Sequence, residues 1–164
     1  MLLEYWRETM EFEAPEERQT VFVTLEDRYL TGINTVDEQH KTLVGLCNNL
    51  YNTVMQERQK ENWEYTDHVK QALEQCAEYA QTHFNTEERL MKACNYEGLS
   101  DHKYKHKQFI KRVSQESQFF DKITYEQTMD FLKFLKEWVL SHISYEDRLF
   151  VKPLKKYIIE NHMQ

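Results

Sequence analysis

The sequence predicts an all-α fold: an up-and-down antiparallel four-helix bundle with an N-terminal arm and a short C-terminal helical tail. Three observations lead there. The 164 residues include only three glycines and two prolines, too few to punctuate the many turns of an all-β domain this long. Four stretches repeat their apolar residues at intervals of three and four, the stripe of an amphipathic helix. Short connections between them make consecutive helices antiparallel neighbours. The length is that of one ordinary domain, enough to bury a core without staples.

Residues 1–36 read as the arm and residues 37–164 as the bundle. The arm holds Glu13-Ala14-Pro15-Glu16-Glu17, a β-like patch Val21-Phe22-Val23, and the turn-prone run Thr31-Gly32-Ile33-Asn34. Asp37 stands where a cap or first-turn acid helps a helix start. The first helix then runs to about residue 59 on Leu43, Leu46, Cys47, Leu50, Tyr51 and Val54, and Glu57 to Asn62 reads as a connection.

A second helix covers about 64 to 93, its inner face marked by Val69, Leu73, Cys76, Ala80, His83, Phe84 and Leu90. Asn95-Tyr96-Glu97-Gly98 is a stop, after which Ser100 is the expected cap of a third helix ending near Phe120. Ile123-Thr124 breaks the pattern. The fourth helix runs from about Glu126 to His142 on Phe131, Phe134, Leu135, Trp138 and Val139. The tail, Asp147 to His162, continues or restarts helix past Pro153.

The net charge of -7 disfavours nucleic acid and anionic membrane as partners, since both require clustered Lys and Arg. No apolar run approaches the roughly 20 residues of a membrane span, and Glu4 interrupts any leader-like start. The expectation is a cytoplasmic chain. Cys47, Cys76 and Cys94 are an odd count without a CxxC pair, so reduced thiols are the default.

The placement of the histidines is the informative feature. Seven occur, and five of them fall on the inner faces of four different helices. His40 opens the first, His83 and Glu87 lie four apart on the second, His102 and His106 four apart on the third, and His142 closes the fourth, five before Asp147. Four residues rotate an α-helix by only about 40° over about 6 Å, so each such pair directs two donor atoms into one space. Five residues rotate it by about 140°, so His142 and Asp147 straddle the metals or their helix is irregular. His68 and His162 lack such partners and read as surface residues.

One lone inward histidine is ordinary core; so many buried imidazoles and carboxylates together need a compensating ion. The set exceeds what a single zinc accepts. It suits two octahedral metals bridged by the carboxylates, with room for an exchangeable ligand; iron fits this donor mixture, as do other metals. Ferritin-like di-iron sites use Glu with Glu-x-x-His pairs, and the present set is richer in histidine. Fewer anionic ligands favour reversible dioxygen binding over deep oxidation.

Thr31-Gly32-Ile33-Asn34-Thr35-Val36-Asp37-Glu38-Gln39-His40-Lys41, His83-Phe84-Asn85-Thr86-Glu87-Glu88, His102-Lys103-Tyr104-Lys105-His106 and Trp138 to Asp147 resemble the hemerythrin family, in particular its single-domain bacterial members. The likeness covers roughly residues 25 to 155. It implies the bundle topology, which is also that of myohemerythrin. It implies two iron ions (Fe2+/Fe3+) with an oxo or hydroxo bridge and dioxygen as ligand. His102, His106 and His142 would hold one iron, His40 and His83 the other, and Glu87 and Asp147 would bridge them. Leu43, Phe84, Trp138, Val139 and Ile143 correspond to the family's oxygen pocket, which excludes water. Leu25 stands where bacterial members usually have tryptophan, a place Trp6 is available to fill, and Phe150 stands where a tyrosine is common.

The implied function is oxygen binding as carrier, store or scavenger, without enzymatic turnover. The alternatives are a sensor signalling through residues 1–24, a di-iron enzyme acting on peroxide or nitric oxide, and iron storage. Cys47 lies seven after His40 and Cys76 seven before His83; seven residues turn a helix by about -20° over about 10.5 Å. Antiparallel packing therefore puts both thiols in one layer, as small core hydrophobes or as a redox pair.

Overall fold

The computed structural model describes residues 20–59, 67–118 and 124–162. The expectations for Trp6, Glu13 to Glu17, Phe120 and Ile123 lie outside the described residues. Within them run five helices: α1 Asn34–Arg58, α2 Asp67–Ala93, α3 Leu99–Ser117, α4 Tyr125–Ser141 and α5 Asp147–His162. A short 3-10 turn, Asp27–Tyr29, precedes α1, and one π-helical turn, His142–Glu146, joins α4 to α5.

Side-chain pairs set the helix directions. Glu57, late in α1, meets His68, early in α2, at 3.1 Å, whereas His40, early in α1, packs on His83, late in α2, with ring centroids 4.9 Å apart. Glu88 to Lys103 at 2.9 Å and Phe84 to Phe109 at 5.7 Å orient α2 against α3. Phe109 to Trp138 at 4.0 Å and His106 to His142 at 4.9 Å orient α3 against α4. Arg58 reaches Tyr125 at 3.0 Å and closes α4 onto α1. Each of these four pairs is antiparallel: α1 to α4 form the up-and-down bundle.

Most of the interior is one apolar cluster built from the predicted stripes, with Leu43, Cys47, Leu50 and Val54 facing Val69, Leu73, Cys76, Ala80, Phe131, Leu132 and Leu135. A smaller cluster of Val36, Met91, Phe150 and Leu154 closes one end. On α2 it is Met91 that is fully buried, Leu90 only partly.

The helix ends follow local chemistry. Asp37, in the first turn of α1, accepts the Thr31 and Gly32 N–H groups at 2.7 and 2.9 Å and the Thr31 hydroxyl at 2.7 Å. The stop after α2 is a Schellman turn: Asn95 takes φ +51, Asn95 N–H donates to the Lys92 carbonyl, and Tyr96 N–H to that of Met91. Ser100 is not a cap. The helix already starts at Leu99, with Gly98 before it; the Tyr96 ring lies 2.6 Å from where a Cβ on residue 98 would sit. Thr124 caps α4 through a reciprocal box with Gln127. The tail is helical straight through Pro153.

Val21-Phe22-Val23 does not form a strand. Asn48 takes the place of a partner strand: its Oδ1 accepts the Phe22 and Val23 N–H groups at 2.8 and 2.7 Å, and its Nδ2 donates to the Val23 carbonyl at 2.9 Å. Asn52, one turn on, pairs with Thr20 in the same way. With Phe22 stacked on Tyr51 at 4.3 Å, this segment lies along α1, with side chains of α1 taking up the Phe22 and Val23 N–H groups and the Val23 carbonyl.

Candidate metal centre

The periodic helices bring the expected donors to one level of the bundle. α1 contributes His40, α2 His83 and Glu87, α3 His102 and His106. His142 and Asp147 bound the π turn, and all seven are buried. The five-residue spacing is resolved there: Asp147 N–H donates to the His142 carbonyl. This i→i+5 bond makes residues five apart successive rungs of one turn, and His142 Nε2 comes within 3.0 Å of Asp147 Oδ1.

The donors form two groups, His40–His83–Glu87–Asp147 and Glu87–His102–His106–His142, with ligand atoms within 4.8 Å of one another in each. Both carboxylates divide their oxygens between the two sides. Glu87 Oε1 faces His83 at 3.5 Å and His40 at 3.9 Å, while Oε2 faces His106 at 3.3 Å and His102 at 3.4 Å. Asp147 Oδ2 faces His40 at 3.1 Å, while Oδ1 faces His142 at 3.0 Å and His102 at 3.5 Å.

Hydrogen bonding does not satisfy this cluster. Both ring nitrogens of His40, His83 Nε2, Glu87 Oε1 and both Asp147 oxygens are buried without a hydrogen-bond partner, an expensive condition for polar atoms. His106 Nε2 and His142 Nε2 face each other at 3.0 Å. Two nitrogens bound at right angles to one ion, each at about 2.1 Å, stand about 3.0 Å apart.

The electrostatics agree. Burial works to raise the Glu87 carboxyl, yet His83 and the three histidines of the other group hold it well below the usual range. Burial opposes charge on His142, but Asp147 and Glu87 push it up to about 9. Burial pushes His83 down, only partly offset by the same carboxylates.

Apolar groups wall the cluster. Phe84 stacks on His106 at 3.8 Å with planes 9° apart, and the partly buried Trp138 on His142 at 4.3 Å and 13°. Both rings thus lie against the three-histidine group. Leu43 and Val139 instead line a narrow internal cavity with Cys47, Cys76 and Phe109, of about 10 Å3, room for about one water. Ile143 is buried in the same apolar cluster. Both thiols line that cavity, and the neighbouring Cys47 together with burial pushes the Cys76 thiol well above its usual value. Phe150 and His102 meet at right angles with ring centroids 6.0 Å apart, Leu25 packs against the core, and His68 is exposed but paired with Glu57.

Two polar residues behind the cluster have no periodic signature: Gln39, bonded to His83, and Glu88, bonded to His106. Their only sequence sign is adjacency, one before His40 and one after Glu87.

A family model described as the hemerythrin HHE cation binding domain matches residues 31–154. The chain belongs to the hemerythrin family. It is 30% identical over 128 residues to a bacteriohemerythrin of Clostridium acetobutylicum, covering 76% of this chain and 95% of that one. To a bacteriohemerythrin of Pseudomonas aeruginosa it is 31% identical over 136 residues, covering 82% and 83%. A crystal structure of wild-type hemerythrin superposes with a TM-score of 0.69 at 22% identity, over 81% of this chain and 98% of that one. Single-site variants of hemerythrin give 0.70, and these likenesses carry the hemerythrin fold. Among the described residues no helix is long and apolar enough to cross a membrane.

Proposed function

We propose that this hemerythrin-family chain binds dioxygen reversibly at a non-haem di-iron centre, as a carrier, store or scavenger, not as an enzyme. The observation that supports this best is the division of Glu87 and Asp147, each with one oxygen toward the two-histidine group and one toward the three-histidine group. A single ion has no use for that arrangement, and two neighbouring ions do. The orphaned buried atoms and the imidazole–carboxylate mixture fit iron.

His102, His106 and His142 would hold one iron and His40 and His83 the other, under the two shared carboxylates. The two-histidine position is one imidazole short and is the place for an exchangeable ligand. Iron bound at both positions would supply, one electron from each ion, the two electrons that dioxygen takes up on binding and gives back on leaving. Leu43, Phe84, Val139 and Ile143 keep water from the cluster, and Trp138 covers His142. A dry pocket favours release of the ligand unchanged.

The test is the visible spectrum of the reduced, iron-loaded protein mixed with air and then deoxygenated. A band that forms in air, vanishes on deoxygenation and returns over cycles is expected. Immediate irreversible oxidation, with turnover of peroxide or nitric oxide, would contradict the reading. His83→Ala should lose iron or oxygen binding.

A further inference from the structure

Gln39 reaches from α1 to α2 behind His83. Its Oε1 lies 3.2 Å from His83 Nδ1, and its Nε2 donates to Thr86 Oγ1 at 3.2 Å. Thr86 Oγ1 itself donates to the Thr82 carbonyl at 3.1 Å. A hydroxyl has one proton, so toward Gln39 this oxygen only accepts. The amide is therefore oriented with its NH2 toward Thr86 and its carbonyl toward His83, and His83 Nδ1 carries the proton. The lone pair is left on Nε2, the atom turned to Glu87.

On the other side the same end is reached with a different group. His106 Nδ1 lies 3.1 Å from Glu88 Oε1, and Glu88 Oε2 lies 2.9 Å from Lys103 Nζ. Paired with Lys103, the carboxylate only accepts, so His106 Nδ1 donates and its Nε2 lone pair faces Glu87 and His142. A partner of this kind fixes the tautomer and raises the basicity of the ligand, and a carboxylate raises it more than an amide does.

We propose that Gln39 and Glu88 are positioning residues for the metal centre, which hold His83 and His106 as Nδ1–H tautomers and make the two metal positions unequal, an amide behind one and a carboxylate behind the other. This rests on the two-metal reading of the cluster. Each residue then governs retention of one ion and leaves the other alone.

The experiment loads the metal-free protein with Fe2+ without air and follows release to a chromogenic chelator. Gln39→Ala should speed the loss of one equivalent by about 10–100-fold, and Glu88→Ala the loss of the other. The double variant should lose both quickly. Gln39→Glu and Glu88→Gln keep an acceptor in place and should restore slow release. Thermal melts of the metal-free variants report any general loosening of the bundle. Wild-type release of both equivalents from both alanine variants would overturn the inference, as would equal acceleration of both equivalents by either one. If the wild type retains fewer than two irons, the two-metal reading itself fails, a result distinct from the other two.

Discussion

The two halves of this bundle are filled with opposite materials. Toward the end where Arg58 meets Tyr125, the inward stripes carry Leu50, Val54, Val69, Leu73, Phe131 and Leu132. One level further along, the same stripes carry His40, His83, Glu87, His102 and His106, buried as deeply as their apolar neighbours. Full burial of a large apolar side chain contributes about 1.5–3 kcal/mol with no ligand. Buried polar groups without partners oppose folding by a comparable amount each. The hydrocarbon half therefore secures the fold, and that lets the other half keep a cluster that is satisfied only when filled.

The contrast can be broken from either side. Phe131→Ala, in the hydrocarbon half, should lose about 3–5 kcal/mol of stability in urea unfolding while the folded fraction keeps its iron content. Loss of iron along with stability would mean the halves are not separable. Adding iron to the metal-free protein, at a free concentration a hundredfold above its Kd, should stabilise it by about 2.7 kcal/mol for each iron bound, seen as a higher melting temperature. Glu87→Gln should abolish most of that iron-dependent rise and leave the metal-free melting temperature unchanged or higher, because it removes a buried charge. A large drop in the metal-free form would show that Glu87 also supports the bundle alone. The smallest effect belongs far from the cluster: Thr124→Ala, which removes the α4 capping box, should lose about 1 kcal/mol and change neither iron binding nor its spectrum.

Much of this arrangement is legible along the chain. The apolar spacing of α1 to α4 identifies the bundle, and the pairs His83 with Glu87 and His102 with His106 share a face by arithmetic alone. His142 and Asp147 do not: their five-residue spacing leaves open a straddled site or an irregular helix, and His142-Ile143-Ser144-Tyr145-Glu146 holds no glycine or proline to mark the π turn. The Val21-Phe22-Val23 patch resembles a strand because its residues prefer extended backbone; two asparagines on α1 take the place of a partner strand. Gln39 and Glu88 act across 44 and 18 residues, and such separations leave no local trace. The Cys47–Cys76 layer follows from heptad spacing and antiparallel packing, and both thiols are free and buried.

The central claim is that two metal ions share Glu87 and Asp147. Anaerobic titration of Fe2+ into the metal-free protein tests it most directly. The expected end point is two irons per chain. Saturation at one iron, or no saturable binding, would contradict it.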